Sequence, residues 1–172
     1  DEDSLRAWTK ELIPLSEEIT RHRRAYLGGL VEHVEAVSKV LEGLGELSFE
    51  YYQGWADDTS LAGAMDADGA RDVAVGTTSH GAHKADMKIK VDGVLASECL
   101  SRGQIKLLVY ALKLAQATFY RDKTGESCLF LLDDLPAELD YLHRQQIVGF
   151  LRGLDCQVFM TGVDKRDFEV LV

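Results

Sequence analysis

Apolar residues recur at helical spacing from Leu5 to Leu41 (Leu5, Trp8, Leu12, Leu15, Ile19, then Tyr26, Leu27, Leu30, Val31, Val34, Val37, Leu41). Charged residues are interleaved, and Gly43 and Gly45 end the pattern. The spacing predicts a long helical arm over residues 4–43, which Pro14 should bend or break near its start. From Leu47 the period falls to two: Leu47, Phe49 and Tyr51 alternate with Ser48, Glu50 and Tyr52, as a half-buried strand requires. The switch divides the chain into an arm, residues 1–46, and a second portion, residues 47–172. Residues 57–72 are rich in Asp, Ala and Gly and predict a weak helix or a loop. Met87, Ile89 and Val91 alternate with Lys88, Lys90 and Asp92 before Gly93, predicting another antiparallel strand.

Further along, residues 101–119 are apolar on nearly every face and predict a buried helix. Cys128–Leu132 and Cys156–Met160 are continuous apolar runs flanking an amphipathic helix from Leu139 to Leu154. Strand, helix, strand in this order predicts parallel strands covered by helices. The class is therefore α/β, with ligands expected at the carboxyl ends of the strands.

The chain has 172 residues and a formal charge of -10, and no long segment is basic enough to be a nucleic-acid footprint. Any DNA contact must be local. The tightest basic cluster is Arg21, His22, Arg23 and Arg24 on the arm; Lys84, Lys88 and Lys90 form a weaker one. Solvated helix or strand surface explains both, and phosphate contact is the alternative. Three cysteines, Cys99, Cys128 and Cys156, lack metal-ligand spacing and read as reduced core or near-core thiols, pointing to the cytoplasm. No run approaches about 18 apolar residues, and the charged first thirty residues read as neither a membrane span nor a secretory signal. The chain starts without Met and ends in the apolar run Phe168–Val172, which gives the expectation of a piece of a longer protein.

Candidate chemistry gathers in the second half. Ser101 and Gln104 have capping-box spacing at the start of the buried helix. Between them, Gly103 leaves room for an anion to approach the N–H groups and positive dipole end. Asp133 and Asp134 end an apolar strand, where one carboxylate can hold magnesium through water and the other can orient an attacking water. A polar strand end beginning a turn is the plainer reading. Glu138 and Asp140 follow at the opening of the next helix, where acidic residues are favoured anyway. His80, His83 and Asp86 can be written as a metal set, although two loop histidines are more often structural.

The order of these parts resembles the ABC-type ATPases and, within them, the RecF family. Leu100-Ser101-Arg102-Gly103-Gln104-Ile105-Lys106-Leu107-Leu108 is similar to the family signature, with Arg102 where transporters carry Gly. Asp133-Asp134 resembles its Walker B carboxylates, and Ala137-Glu138-Leu139-Asp140 its D-loop. Ser79-His80-Gly81-Ala82-His83-Lys84-Ala85-Asp86 is similar to a Gly-Pro-His-Arg-Asp-Asp run, departing from it at Ala82, Lys84 and Ala85. Trp8 to Pro14 extends the likeness into the arm. Thr161-Gly162-Val163 stands where ABC ATPases often place a switch histidine, so that contact is absent or replaced. No glycine is followed by lysine, so the loop Gly-x-x-x-x-Gly-Lys-Ser/Thr lies outside these residues.

The resemblance implies the signature-bearing half of an ABC-type head, whose longer parent binds ATP and magnesium and hydrolyses ATP weakly. Ser101, Arg102, Gly103 and Gln104 would close on nucleotide held by a second copy, giving an ATP-dependent homodimer. Asp133 would serve magnesium and Asp134 would be catalytic, while this chain alone should be inactive. It further implies a recombination mediator in bacterial DNA repair and replication restart. Such a protein would act on double-stranded DNA and gap junctions with RecO and RecR, and indirectly RecA. Arg21, Arg23, Arg24, Lys84 and Lys88 are the candidate DNA contacts. Two alternatives stay open: the head of an SMC- or Rad50-like repair protein, which should carry a much longer coiled coil, and a non-catalytic docking module.

Overall fold

A computed structural model describes residues 2–164. The apolar ending at 168–172 lies outside the described residues. In chain order the elements are α1 (Glu2–Ser38), β1 (Leu47–Tyr52), α2 (Leu61–Val75), a 3-10 turn (Ala82–Lys84), β2 (Asp86–Val91), β3 (Val94–Leu95) and α3 (Ala96–Cys99). They continue with α4 (Arg102–Thr124), β4 (Leu129–Leu132), α5 (Leu135–Glu138), α6 (Tyr141–Gly153) and β5 (Gln157–Met160). The strands form a sheet of order β1-β2-β3 and a pair β4-β5. β2 and β3 are antiparallel, with Lys90 opposite Leu95. The turn between them is Asp92-Gly93, both at positive φ, the pairing a tight hairpin favours. β4 and β5 are parallel, as the strand-helix-strand pattern predicts, with Leu129 opposite Gln157 and Leu132 opposite Met160.

The chain forms two compact units, one built on residues up to Gly28 together with Phe49–Ile89, the other on Gly29–Ser48 together with the chain from Lys90 onward. In the first, Trp55, Leu61, Ala64 and Met65 form a buried cluster against which Leu12 and Ile13 pack. α1 is unbroken through Pro14, so the expected break does not occur. A proline there removes one helical hydrogen bond, and packing of Leu12 and Ile13 beside buried Ser16 holds the helix across the gap. The helix also stops at Ser38, short of the Gly43 that its apolar spacing suggests.

α2 is a second correction, since a full helix occupies much of the stretch expected to be a weak helix or loop. Ser60 caps its start by accepting from Gly63 N–H, and Gly76 ends it in the left-handed region. Leu61, Ala64 and Met65 form its buried stripe, and burial of that stripe offsets the low propensity of its Asp and Gly residues. Asp68 and Asp72 on α2 hold the following loop: His80 Nε2 lies 2.6 Å from Asp68, and Ser79 N–H donates to Asp72 at 3.0 Å. The Ser79 hydrogen bonds keep the Asp72 carboxyl below its usual range.

In the second unit, α4 is buried along Leu107, Leu108, Ala111, Leu114 and Ala115, yet Ile105 is 38% and Val109 49% exposed. The helix is therefore buried on one face, and not on nearly all of them. Gly29 faces the Phe119 ring, and Leu30, Val34, Val37 and Leu41 are buried, as are Ile147, Val148 and Leu151 of α6. Cys128 and Cys156 are half-buried, but Cys99 is exposed, which corrects its reading as a core or near-core thiol. Burial pushes the Cys156 thiol pKa up. No helix among the described residues is long and apolar enough to cross a membrane.

Gly54 has φ +103, and a Cβ on it would overlap the Gly81 carbonyl; Gly81 N–H donates to the Gly54 carbonyl at 3.2 Å. Gly28, within α1, has nothing within 4 Å of a Cβ position. Gly54→Ala should therefore destabilise by about 2 kcal/mol or more, while Gly28→Ala should stabilise by roughly 0.5–1 kcal/mol. Urea unfolding of both variants checks this, and equal midpoints would contradict the close backbone approach.

Candidate functional site

Leu100 closes the short α3 through its N–H to Ala96, so α4 begins after a two-residue link, Leu100 and Ser101. Ser101 is extended, φ -66 and ψ 163, and forms the capping box that its spacing predicts. Ser101 Oγ accepts from Gln104 N–H at 3.3 Å, and Gln104 Oε1 accepts from Ser101 N–H at 3.0 Å. The Ser101 hydroxyl keeps its proton to donate outward. Ser101, Arg102 and Gly103 are all exposed. A Cβ on Gly103 would meet nothing within 4 Å. Glycine there is required by no contact within the chain, and it weakens the helix start by about 1 kcal/mol relative to alanine.

The parallel register brings Thr161 beside the end of β4. Thr161 N–H donates to the Leu132 carbonyl (3.0 Å), its hydroxyl donates to Asp133 Oδ1 (2.6 Å), and it accepts from Asp134 N–H (3.0 Å). The residue that follows β5 is thus turned towards the two aspartates. Asp133 is exposed and keeps its second oxygen open, while Asp134 is half-buried. Asp134 sits in the left-handed region at φ 44 and ψ 45 and caps α5 without a side-chain hydrogen bond. Thr161 was not singled out for this role from sequence, although its place directly after the apolar run of β5 is the signal that finds it.

Glu138 ends α5, and its carboxylate lies 2.6 Å from Lys106 Nζ on α4. This joins α4 to the end of α5. Burial and then the Glu138 charge raise the pKa of Tyr110, one turn beyond Lys106. Asp140 caps α6, accepting from His143 N–H at 3.0 Å and facing His143 Nδ1 at 2.7 Å. Those two contacts, the backbone one first, hold its carboxyl below the ordinary range.

The basic residues of the first unit divide into two groups. Arg23 donates to the Ala82 carbonyl at 2.6 Å, and Arg24 to Gln53 and Asp57, so both are engaged in holding the unit together. Arg21 and His22 lie 3.6 Å from Glu18 on the helix surface, and Lys84 and Lys88 are exposed. His80 pairs with Asp68 and His83 lies 3.1 Å from the Thr78 carbonyl, while Asp86 accepts from the neighbouring Met87 N–H. Among the described residues no group of three His, Cys, Asp or Glu side chains is placed to hold a metal ion, which removes the His80, His83 and Asp86 set.

No family model matches the sequence. Among curated proteins, the chain is 42% identical over 164 residues to the DNA replication and repair protein RecF of Stutzerimonas stutzeri, covering 95% of this chain and 44% of that protein. It is 40% identical to RecF of Cellvibrio japonicus (96% and 46%) and 38% identical to RecF of Escherichia coli O6:K15:H31 (94% and 45%). It also superposes on solved structures of the recombination mediator protein RecF in the RecFOR pathway. The one with ATPrS gives TM-score 0.80 at 23% identity (96% of this chain, 46% of that one), and the one with ATP gives 0.75 at 21% (95% and 46%). These likenesses show an α/β fold shared with the solved RecF structures. The chain spans a little under half the length of the curated relatives it matches and, on its identity to them along nearly all of its own residues, belongs to the RecF family.

Proposed function

We propose that this chain is the signature-bearing half of a nucleotide-clamped dimer head in a DNA replication and repair protein. In the longer parent, the phosphates of ATP would be held by a phosphate loop of one copy and covered by the α4 start of another. The observation that carries the reading is the exposed capping box at Ser101, with open space beside Gly103. There the N–H groups of the first turn, the helix dipole and a hydroxyl proton converge on one side, which suits a phosphate.

Asp133 is suited to magnesium, through water, because Thr161 orients one of its oxygens and leaves the other open. Bound there, the ion would neutralise charge on the phosphates. The Asp134 carboxylate, unlike its backbone carbonyl, accepts no hydrogen bond among the described residues and is free to orient and deprotonate an attacking water. Arg102 and Gln104 flank the contact, and Glu138 and Asp140 form the turn that follows the carboxylates. Nucleotide then acts as the link between two copies and its hydrolysis releases them. The relatives' names supply DNA replication, repair and recombination mediation; double-stranded DNA and gap junctions as targets, RecO and RecR as partners and RecA loading as the outcome are added on the motif resemblance. Of the arm residues, Arg21 is better placed for phosphate, because its long contacts to Glu18 and His22 lie on its own exposed helix surface, whereas Arg23 and Arg24 are tied to Ala82, Gln53 and Asp57 elsewhere in the unit.

In the longer parent, Ser101→Arg should abolish ATP-driven dimers, measured by light scattering. Asp134→Asn should keep the dimer while phosphate release falls about 10²-fold or more. A docking module would respond to neither substitution, and that outcome sinks the reading. Arg21→Ala and Lys88→Ala should each flatten the plot of log DNA affinity against log salt by about one unit. Arg24→Ala should instead lower the melting temperature with little change in that slope.

A further inference from the structure

The turn following α1 has its backbone polar groups taken up by side chains from three other places in the second unit. Glu42 N–H donates to Gln146 Oε1 at 3.3 Å, and the Glu42 carbonyl lies 2.9 Å from His143 Nε2. The Gly43 carbonyl accepts from Gln104 Nε2 at 3.1 Å. Glu46 N–H donates to Asp92 Oδ1 at 2.9 Å, and Asp92 N–H returns a bond to the Glu46 carbonyl at 2.9 Å. Leu41, at the entry to the turn, is fully buried. Gly43 has φ +96, and its Cβ position lies 3.5 Å from the His143 ring.

Two of these side chains also serve the helix starts described above. Gln104 gives Oε1 to the Ser101 cap and Nε2 to Gly43. A glutamate would complete the same capping box, but only an amide accepts at one atom and donates at the other. His143 sets Nδ1 against Asp140 and Nε2 against the Glu42 carbonyl, so one ring spans the α6 cap and the turn.

We infer that residues 41–46 are a brace that holds the N-terminal ends of α4 and α6 in a fixed register, with Gln104, His143 and Gln146 as its positioning residues. The inference deepens the clamp reading and rests on it for its consequence: a helix end that must meet phosphate on another copy loses affinity when its aim shifts by about 1 Å. His143 touches no nucleotide in this scheme. It acts by fixing where Ser101 and Asp140 are presented.

The test uses two substitutions at one position. His143→Asn keeps a donor where Nδ1 stands and loses the link to Glu42; His143→Gln reaches Glu42 and loses Asp140. In this chain, hydrogen exchange at residues 102–106 should quicken at least fivefold in His143→Asn and stay near the wild-type rate in His143→Gln. In the longer parent, His143→Asn should raise the ATP concentration for half-maximal dimer about tenfold with turnover at saturation unchanged, and His143→Gln should restore it. Indistinguishable exchange in the two variants overturns the brace, as does an equal loss of melting temperature in both, the mark of a merely structural role. If Ser101→Arg abolishes the dimer while His143→Asn leaves half-saturation unchanged, the brace falls and the clamp stands. If Ser101→Arg itself is silent, the clamp reading falls and the functional role of the brace falls with it.

Discussion

An α-helix leaves its first four N–H groups without partners inside the helix, and those groups must be met by something. Ser60, Ser101 and Asp140 meet this requirement with side-chain oxygens at the starts of α2, α4 and α6. The three caps are chemically alike, but their surroundings differ. Beside Ser101 the first turn is exposed and carries a glycine with empty space around it. The same rule that orders the fold therefore leaves a set of oriented donors at one surface, and the candidate chemistry is built on that remainder.

The carboxylate end of the site depends on a different economy. Parallel pairing of β4 and β5 sets Thr161 opposite Asp133, and a single hydroxyl then fixes one carboxylate and the backbone of the next residue. Lys106 and Glu138 join this region to α4 across 2.6 Å. Both groups are substantially exposed, so the pair contributes little stability and its value lies in alignment.

Legibility from the sequence followed the range of the interactions. Capping boxes, strand alternation and apolar runs are local, and Ser101 with Gln104, Leu47 to Tyr52 and Leu129 to Leu132 were all readable from spacing. α2 was read as weak because its glycines and aspartates argue against a helix, and only burial of Leu61, Ala64 and Met65 overrules them. Pro14 argues for a break in sequence for a similar reason, whereas packing of Leu12 and Ile13 ahead of it and burial of Ser16 after it carry the helix past. Ile105 and Val109 looked like core because hydropathy does not reveal which apolar side chains find a partner. Contacts between segments far apart in the chain, such as Thr161 to Asp133, Gln104 to Gly43 and His143 to Glu42, leave no mark in local pattern.

The left-handed backbone at Asp134 bears on which acid can stand there. Aspartate and asparagine enter the left-handed region more readily than longer side chains do, and Asp134 sits there at φ 44 without a side-chain hydrogen bond to α5. The choice of the smaller acid is then in part a conformational matter. With one methylene fewer, the carboxylate stays close to the strand, and any solvent molecule it serves must come in nearer to the main chain.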